Sequence, residues 1–98
     1  MINQTIINAI NNMEFLSFTY EDNPRVVEPH AYGMGLYGAD LLRAYQVGGY
    51  SSSGSLPKWR LFEVNKIYNL SPMGEKFNGV RRGYHRNNRV MEYIYAQL

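Results

Sequence analysis

Short segments in which apolar and polar residues alternate recur along most of this chain, and close turns separate them. Side chains of a strand point to the same face at every second residue, so each alternating segment predicts a strand with one buried face. The predicted strands cover residues 15–20, 25–32, 41–47, 58–64 and 66–70. Short strands joined by close turns favour a small β-barrel, with its core at about residues 14–70.

A helix and several irregular segments accompany these strands. Apolar residues recur at helical spacing over residues 2–13, which predicts an N-terminal helix. Pro29 interrupts the second strand and indicates a sheet edge or a bulge. Glycine and serine predict a turn over residues 33–40 and a flexible loop over residues 48–56.

The last part of the chain, residues 71–98, predicts a basic extension that ends in a second helix. The helix is expected from about residue 88, because five apolar side chains follow at helical spacing and Asn87 or Asn88 would cap it. Those side chains are Val90, Met91, Ile94, Tyr95 and Leu98. They would pack either on the barrel of the same chain or on a second copy, and we expect a homodimer. The predicted fold is therefore a single domain, residues 1–98, that is mainly β with flanking helices.

Composition excludes several classes of protein. The chain has no cysteine, so it forms no disulfide and no thiolate metal site, which fits a cytoplasmic location. No apolar run is long enough to cross a membrane, and no basic and apolar leader begins the chain. The net charge is −3 over residues 1–57 and +5 over residues 58–98. The C-terminal half therefore carries a positive field that attracts anions, although a solvated basic face would look the same.

The predicted strand at residues 58–64 places a cation where a hydrophobic residue belongs. Its alternation puts Arg60 on the same face as Phe62 and Val64, with Trp59 and Leu61 on the other. A charge on an apolar face is costly unless it is paired or binds an anion. Arg60 is therefore the first candidate for a binding residue.

Four weak motifs, taken in their order and spacing, resemble the WYL domain family over about residues 6–70. They are the helix with the strand that ends at Tyr20, the run Arg-Val-Val-Glu-Pro at residues 25–29, the strand Leu-Leu-Arg-Ala-Tyr at 41–45, and Arg-Leu-Phe-Glu-Val-Asn-Lys-Ile at 60–67. The chain departs from the family where Asp40-Leu41-Leu42 replaces the name-giving Trp-Tyr-Leu, and where Asn65-Lys66 replaces Asp-Arg. Members are usually fused to a winged helix or an enzyme, and 98 residues leave room for neither.

The resemblance implies an SH3-like or Sm-like β-barrel that binds a nucleic acid or a nucleotide, in transcription regulation or phage defence. Its ligand pocket is basic and aromatic. The positions that match it here are Arg60, Arg25, Lys66, Tyr20, Tyr45 and His30.

Each of these residues also has a structural interpretation. Arg25 and Arg60 can hold a phosphate through a bidentate fork, or can form ion pairs with Glu28 or Glu63. Lys66 supplies a point charge or is a solvated strand end. Tyr20 and Tyr45 stack a base or belong to the core, and His30 binds ligand or is a buried histidine with internal partners.

A second basic cluster follows in the predicted extension, with an aromatic residue among the cations: Arg81, Arg82, Tyr84, His85 and Arg86. This composition suits a nucleic-acid backbone and one base, or equally a solvated loop. Neither histidine has carboxylate or ligand partners at catalytic or metal-binding spacing, so we expect no enzyme activity, no metal and no cofactor.

Two functions follow as hypotheses. The first is non-catalytic binding of single-stranded nucleic acid or a nucleotide-type anion. The second is a protein-interaction module that modulates a larger regulator, which the exposed tyrosines and the terminal helix suggest.

Overall fold

The computed structural model describes residues 2–51 and 54–98, which form one N-terminal helix and an antiparallel β-sheet. The helix is α1 (Gln4–Asn12), and the strands are β1 (Glu14–Tyr20), β2 (Asn23–Gly35), β3 (Asp40–Gly49), β4 (Lys58–Glu63), β5 (Ile67–Lys76) and β6 (Met91–Gln97). Two short 3-10 turns, Leu36–Gly38 and Val64–Lys66, precede β3 and β5. The mainly β class and the N-terminal helix are confirmed.

Helix α1 begins and ends through local polar contacts. The side chain of Asn3 accepts a hydrogen bond from the backbone N–H of Ile6 and so caps the first turn. The helix stops at Met13, which adopts a left-handed conformation with φ of 51°. Ile6 and Ile10 are fully buried against the sheet, so docking on the core stabilises a helix that asparagine disfavours.

The sheet is open, and the prediction of a closed barrel is wrong in this respect. Its strands follow the order β4-β3-β2-β1-β5, and β6 pairs with β2 alone. No backbone ladder joins β4 to β5 among the described residues. The turn Val64–Lys66 connects these two edge strands, and the Tyr20 hydroxyl accepts a hydrogen bond from the Glu63 N–H at 3.1 Å. The Tyr20 side chain therefore joins the end of β1 to the end of β4, and no ladder closes the sheet between β4 and β5.

Strand β2 is the centre of the sheet and is bent. It pairs with β3 along most of its length, and its other side pairs first with β1 and then with β6. The register with β3 shifts between Pro29 and Ala31. The interruption at Pro29 is thus a bulge within a central strand, since proline lacks the N–H that an unbroken ladder requires.

The predicted C-terminal helix is wrong, because residues 91–97 form strand β6. Tyr93, Ile94 and Tyr95 favour a strand over a helix, and β2 offers them an unpaired stretch of ladder. The expected cap is also absent: the Asn88 side chain accepts from Val90 N–H in a turn, and Asn87 exchanges hydrogen bonds with Gln97. Met91 and Ala96 are buried against the sheet of the same chain.

Other boundaries differ by several residues. Strand β5 continues past residue 70 to Lys76, so the sheet extends beyond the predicted limit, although residues 71–76 are exposed. The segment 77–90 is irregular and includes residues 88–90, where the sequence predicts the start of a helix. In the predicted loop at 48–56, Gly48 and Gly49 belong to β3, and Ser52 and Ser53 lie outside the described residues. No helix in residues 2–51 and 54–98 is long and apolar enough to span a membrane.

The close approach of β6 to β2 yields a testable prediction at Gly33. A Cβ at this position would overlap the Tyr93 carbonyl oxygen, so Gly33→Ala is expected to lower the free energy of unfolding by about 1–3 kcal/mol. Chemical denaturation measures this change. Gly48→Ala is the control, because its Cβ would meet only the Val26 side chain, at 3.3 Å. Equal stability of the two variants would contradict the strand assignment of β6.

Candidate functional site

Arg60 lies on the core-facing side of β4, as its alternation predicts. Its neighbour Phe62 is fully buried, and the Arg60 guanidinium carbon lies 5.3 Å from the centroid of the Phe62 ring. Arg60 is half-buried. Within the part of the chain that the structure describes, it has no hydrogen bond and no ion pair, so neither Glu28 nor Glu63 neutralises it.

Arg25 lies near enough to Arg60 for the charge of Arg60 to lower its pKa, and it is a buried cation with few good partners. Its side chain is only 2% exposed. It donates to the Tyr20 carbonyl at 3.1 Å, but its contacts with Glu21 and Gln46 are long, at 3.4 and 3.5 Å. Its Nε has no hydrogen-bond partner. Hydrogen bonds weaken at such distances, so the buried charge is poorly compensated.

Residues of β3 and its following loop hold the Arg25 guanidinium in place. Gln46 is fully buried, turns its Oε1 toward Arg25, and donates from Nε2 to the carbonyls of Gly48 and Tyr50. The Tyr50 ring centroid is 6.0 Å from the guanidinium carbon of Arg25, and Tyr50 is 48% exposed. An exposed ring thus lies next to a buried cation.

Tyr20 and Lys66 lie at the same end of the sheet but are already engaged. The Tyr20 ring packs on Phe62 at 4.9 Å, and its hydroxyl binds the Glu63 N–H, so its ring is part of the core. Lys66 forms an exposed ion pair with Glu63 at 3.0 Å. The hydrogen bond and negative charge of Glu63 raise the pKa of Lys66.

We call Tyr20, Arg25, Tyr50, Arg60 and Lys66 the Arg25–Arg60 cluster. Burial lowers the pKa of Arg25, and the positive charge of Arg60 lowers it further. Glu21 opposes this shift only in part, since its side chain is 66% exposed. A buried cation and a half-buried cation that influence each other make this end of the sheet a favourable place for an anion.

The other two predicted ligand residues, His30 and Tyr45, lie on the opposite face of the sheet. Their rings both contact Trp59, at 4.8 and 5.2 Å. His30 also packs on Phe77 and Tyr84 from the irregular segment. The predicted pocket is therefore divided between two faces, and only Tyr20, Arg25, Arg60 and Lys66 come together.

Arg81 of the second basic cluster fastens the irregular segment to the sheet. Its Nε and an Nη bind both carboxylate oxygens of Glu28, at 2.7 and 2.8 Å, and Glu28 is buried. A bidentate pair of this geometry is a strong contact. The charge of Arg81 is therefore compensated, whereas the side chains of Arg82, His85 and Arg86 remain exposed.

His30 uses both ring nitrogens inside the fold. Its Nδ1 lies 2.9 Å from the Glu28 carbonyl, and its Nε2 lies 3.1 Å from the backbone nitrogen of Arg81. The Arg81 N–H donates to Nε2, so the neutral ring carries its proton on Nδ1, where it donates to the carbonyl. Burial lowers the pKa of His30 accordingly.

This arrangement predicts that acid destabilises the protein. In the unfolded chain this histidine takes up a proton below about pH 6.5. In the folded protein burial lowers the pKa of His30, so the unfolded state binds more protons. The free energy of unfolding should therefore fall as the pH drops from about 7.5 to about 5.5. Denaturation at both pH values measures the effect. His30→Gln should flatten the dependence and His85→Gln, on an exposed side chain, should not. An unchanged slope in His30→Gln would contradict the assignment.

The described residues contain no group of three or more His, Cys, Asp or Glu side chains placed to hold a metal ion. Comparison with known proteins finds no matching family model, no matching curated protein and no matching solved structure. The resemblance to the WYL domain family therefore rests on the four motifs and remains a hypothesis.

Sequence reasoning missed Gln46 and Tyr50 as members of the site. Gln46 continues the buried face that Leu42 and Ala44 begin in β3. A polar residue at that position was a signal of the same kind as Arg60. Tyr50 follows the strand in a glycine-rich segment, and nothing local connects it to Arg25.

Proposed function

We propose that this protein binds single-stranded nucleic acid or a nucleotide-type anion, without catalysis, through the Arg25–Arg60 cluster. The observation that carries this proposal is Arg25 itself, a buried cation with an unpartnered Nε and a second cation beside it. A buried donor without a partner requires an explanation, and an anionic ligand supplies one.

The cluster is suited to exchange one anion for another. The contact between Glu21 and Arg25 is long and the Glu21 side chain is solvated, so a phosphate can replace it at little cost. Phosphate oxygens accept paired hydrogen bonds from the planar arginine fork. Tyr50 offers an exposed ring on which a base can stack. Stacking accepts any base, so such a site would bind nucleic acid without sequence preference.

The proposal includes a stand-alone WYL-like regulatory module in the cytoplasm, active in transcription regulation or phage defence. The order β4-β3-β2-β1-β5, with a 3-10 turn between β4 and β5, supports an SH3-like or Sm-like arrangement that remains open. The four motifs of the family lie on α1 and β1 to β5, and two of them supply Arg25 and Arg60.

A titration of fluorescently labelled single-stranded DNA and RNA, followed by anisotropy at low salt, tests this function. We expect saturable binding that weakens with salt, with a slope of about −0.7 for each phosphate that the protein neutralises. Unlabelled nucleotides serve as competitors and should be recovered unaltered after long incubation. Absence of binding by every oligonucleotide and nucleotide at low salt would refute the proposal.

The alternative, a protein-interaction module, is favoured by the exposed residues of β5 and β6. Tyr68 and Met73 project from edge strand β5, and Tyr93 from β6. Exposed aromatic residues beside an unpaired edge suit a partner protein or a second copy. Light scattering coupled to gel filtration tests the homodimer, and pull-down from a native lysate tests a larger regulator. A monomer that retains no protein would count against both.

A further inference from the structure

A cleft lies on the face of the sheet opposite the Arg25–Arg60 cluster. Its volume is about 300 Å³, at the lower end of the range for small-ligand pockets. We call it the Trp59 cleft, and it is lined by Arg43, Trp59, Gly83, Tyr84, His85 and Asn88. Because Trp59 and Arg60 are adjacent in β4, their side chains point to opposite faces, so the two sites are separate.

The walls of the Trp59 cleft are aromatic and fixed. The Trp59 and Tyr84 rings are nearly parallel, with centroids 6.1 Å apart and 24° between their planes. The Trp59 indole N–H donates to the Arg82 carbonyl at 3.0 Å. Gly83 lies so close that a Cβ there would be 3.1 Å from the indole nitrogen. Fixed ring faces of this kind suit a planar ligand.

Arg43 gives the Trp59 cleft a positive charge without a counter-ion. It forms no ion pair among the residues that the structure describes, and its buried Nε has no hydrogen-bond partner. Arg86 lies near enough to Tyr84 to oppose the rise in the pKa of Tyr84 that burial causes. His85 and Asn88 add further polar groups at the rim. A bound anion would supply the counter-charge and the hydrogen-bond acceptor that Arg43 lacks within the described residues.

We propose that the Trp59 cleft binds a small planar anion, an aromatic ring that carries a phosphate or a carboxylate. The ring lies against Trp59 and Tyr84, and the anionic group binds the Arg43 guanidinium. Adenosine monophosphate and 1-naphthoate represent the phosphate and carboxylate forms of this ligand. Adenosine and inorganic phosphate each supply only half of it.

Trp59 is the only tryptophan of the chain, so its indole N–H gives one resolved signal in a nitrogen–proton NMR spectrum. We expect the indole and Gly83 signals to shift saturably with adenosine monophosphate or 1-naphthoate, and at least about tenfold more weakly with adenosine or phosphate alone. Preference between 1-naphthoate and 1-naphthyl phosphate, which share the ring, identifies the favoured headgroup. A probe concentration of about 10 mM exceeds the dissociation constant of a weak ligand, which is on the order of 1 mM. If no probe shifts these signals at that concentration, the proposal is overturned.

Arg43→Gln is expected to weaken binding about tenfold or more, because a charge-assisted hydrogen bond is lost. Lys76→Gln removes a positive charge from an exposed position outside both sites and should leave the affinity unchanged within about twofold. If Arg43→Gln does not fold, Arg43→Lys replaces it, and loss of the planar fork should still weaken binding. Equal affinity in the Arg43 variant, or an equal loss in Lys76→Gln, overturns the proposal without affecting the proposed function.

Discussion

Arg60→Gln is expected to weaken the binding of single-stranded nucleic acid by about tenfold to a hundredfold, which is the size of one or two lost charge-assisted hydrogen bonds. Arg60 packs on the Phe62 ring but forms no hydrogen bond or ion pair among the described residues, so its removal breaks no ion pair of the fold. The free energy of unfolding should therefore change little while the affinity falls. Anisotropy titrations at fixed salt measure the affinity, and chemical denaturation measures the stability.

Two further substitutions distinguish binding at the Arg25–Arg60 cluster from attraction by the overall positive charge of the C-terminal half. Arg89→Gln removes the same charge from an exposed position and should reduce the affinity no more than about threefold. Glu21→Gln removes the anion that competes for Arg25 and should raise the affinity. If Arg60→Gln and Arg89→Gln weaken binding equally, the basic half of the chain binds by charge alone and the cluster is not a site.

Phe62→Ala is expected to lower the free energy of unfolding by about 3–5 kcal/mol, as large-to-small changes at buried aromatic residues do. Phe62 is fully buried, and its ring meets those of Phe18 and Tyr20 edge to face, at 5.0 and 4.9 Å. These contacts join β1 to β4 across the core of an open sheet. Urea denaturation followed by circular dichroism measures the loss.

Leu61→Ala is the matched control on the same strand. Leu61 points to the opposite face and is 36% exposed, so its truncation should cost less than about 1.5 kcal/mol. A similar loss in both variants would contradict the alternation of β4. That alternation is also what places Arg60 on the face of Arg25.

Period-two patterns predicted β1, β3 and β4 well, because each of these strands has one buried face. Leu16, Phe18 and Tyr20 are buried as expected in β1, and Phe62 in β4. The cation on the buried face of β4 was likewise visible in the sequence. Local alternation carries this much information because it records which side of a strand meets the core.

The same periodicity, applied to every candidate, would have separated His30 and Tyr45 from Arg25. Arg25 and Val27 share the core face of β2, whereas Glu28 faces the other way, toward Tyr45. Pairing between distant strands, by contrast, leaves no local trace. The residues of β6 fit a helical spacing as well as a strand, and only the free stretch of β2 decides between them.

Mapping of backbone amide shifts on addition of an unlabelled single-stranded oligonucleotide tests the central claim most directly. The account predicts saturable shifts at the end of β1, the start of β2, Tyr50 and β4, and their loss in Arg60→Gln. Shifts confined to the Trp59 cleft, or the same shifts in Arg60→Gln as in the unsubstituted protein, would contradict the claim that the Arg25–Arg60 cluster is the binding site.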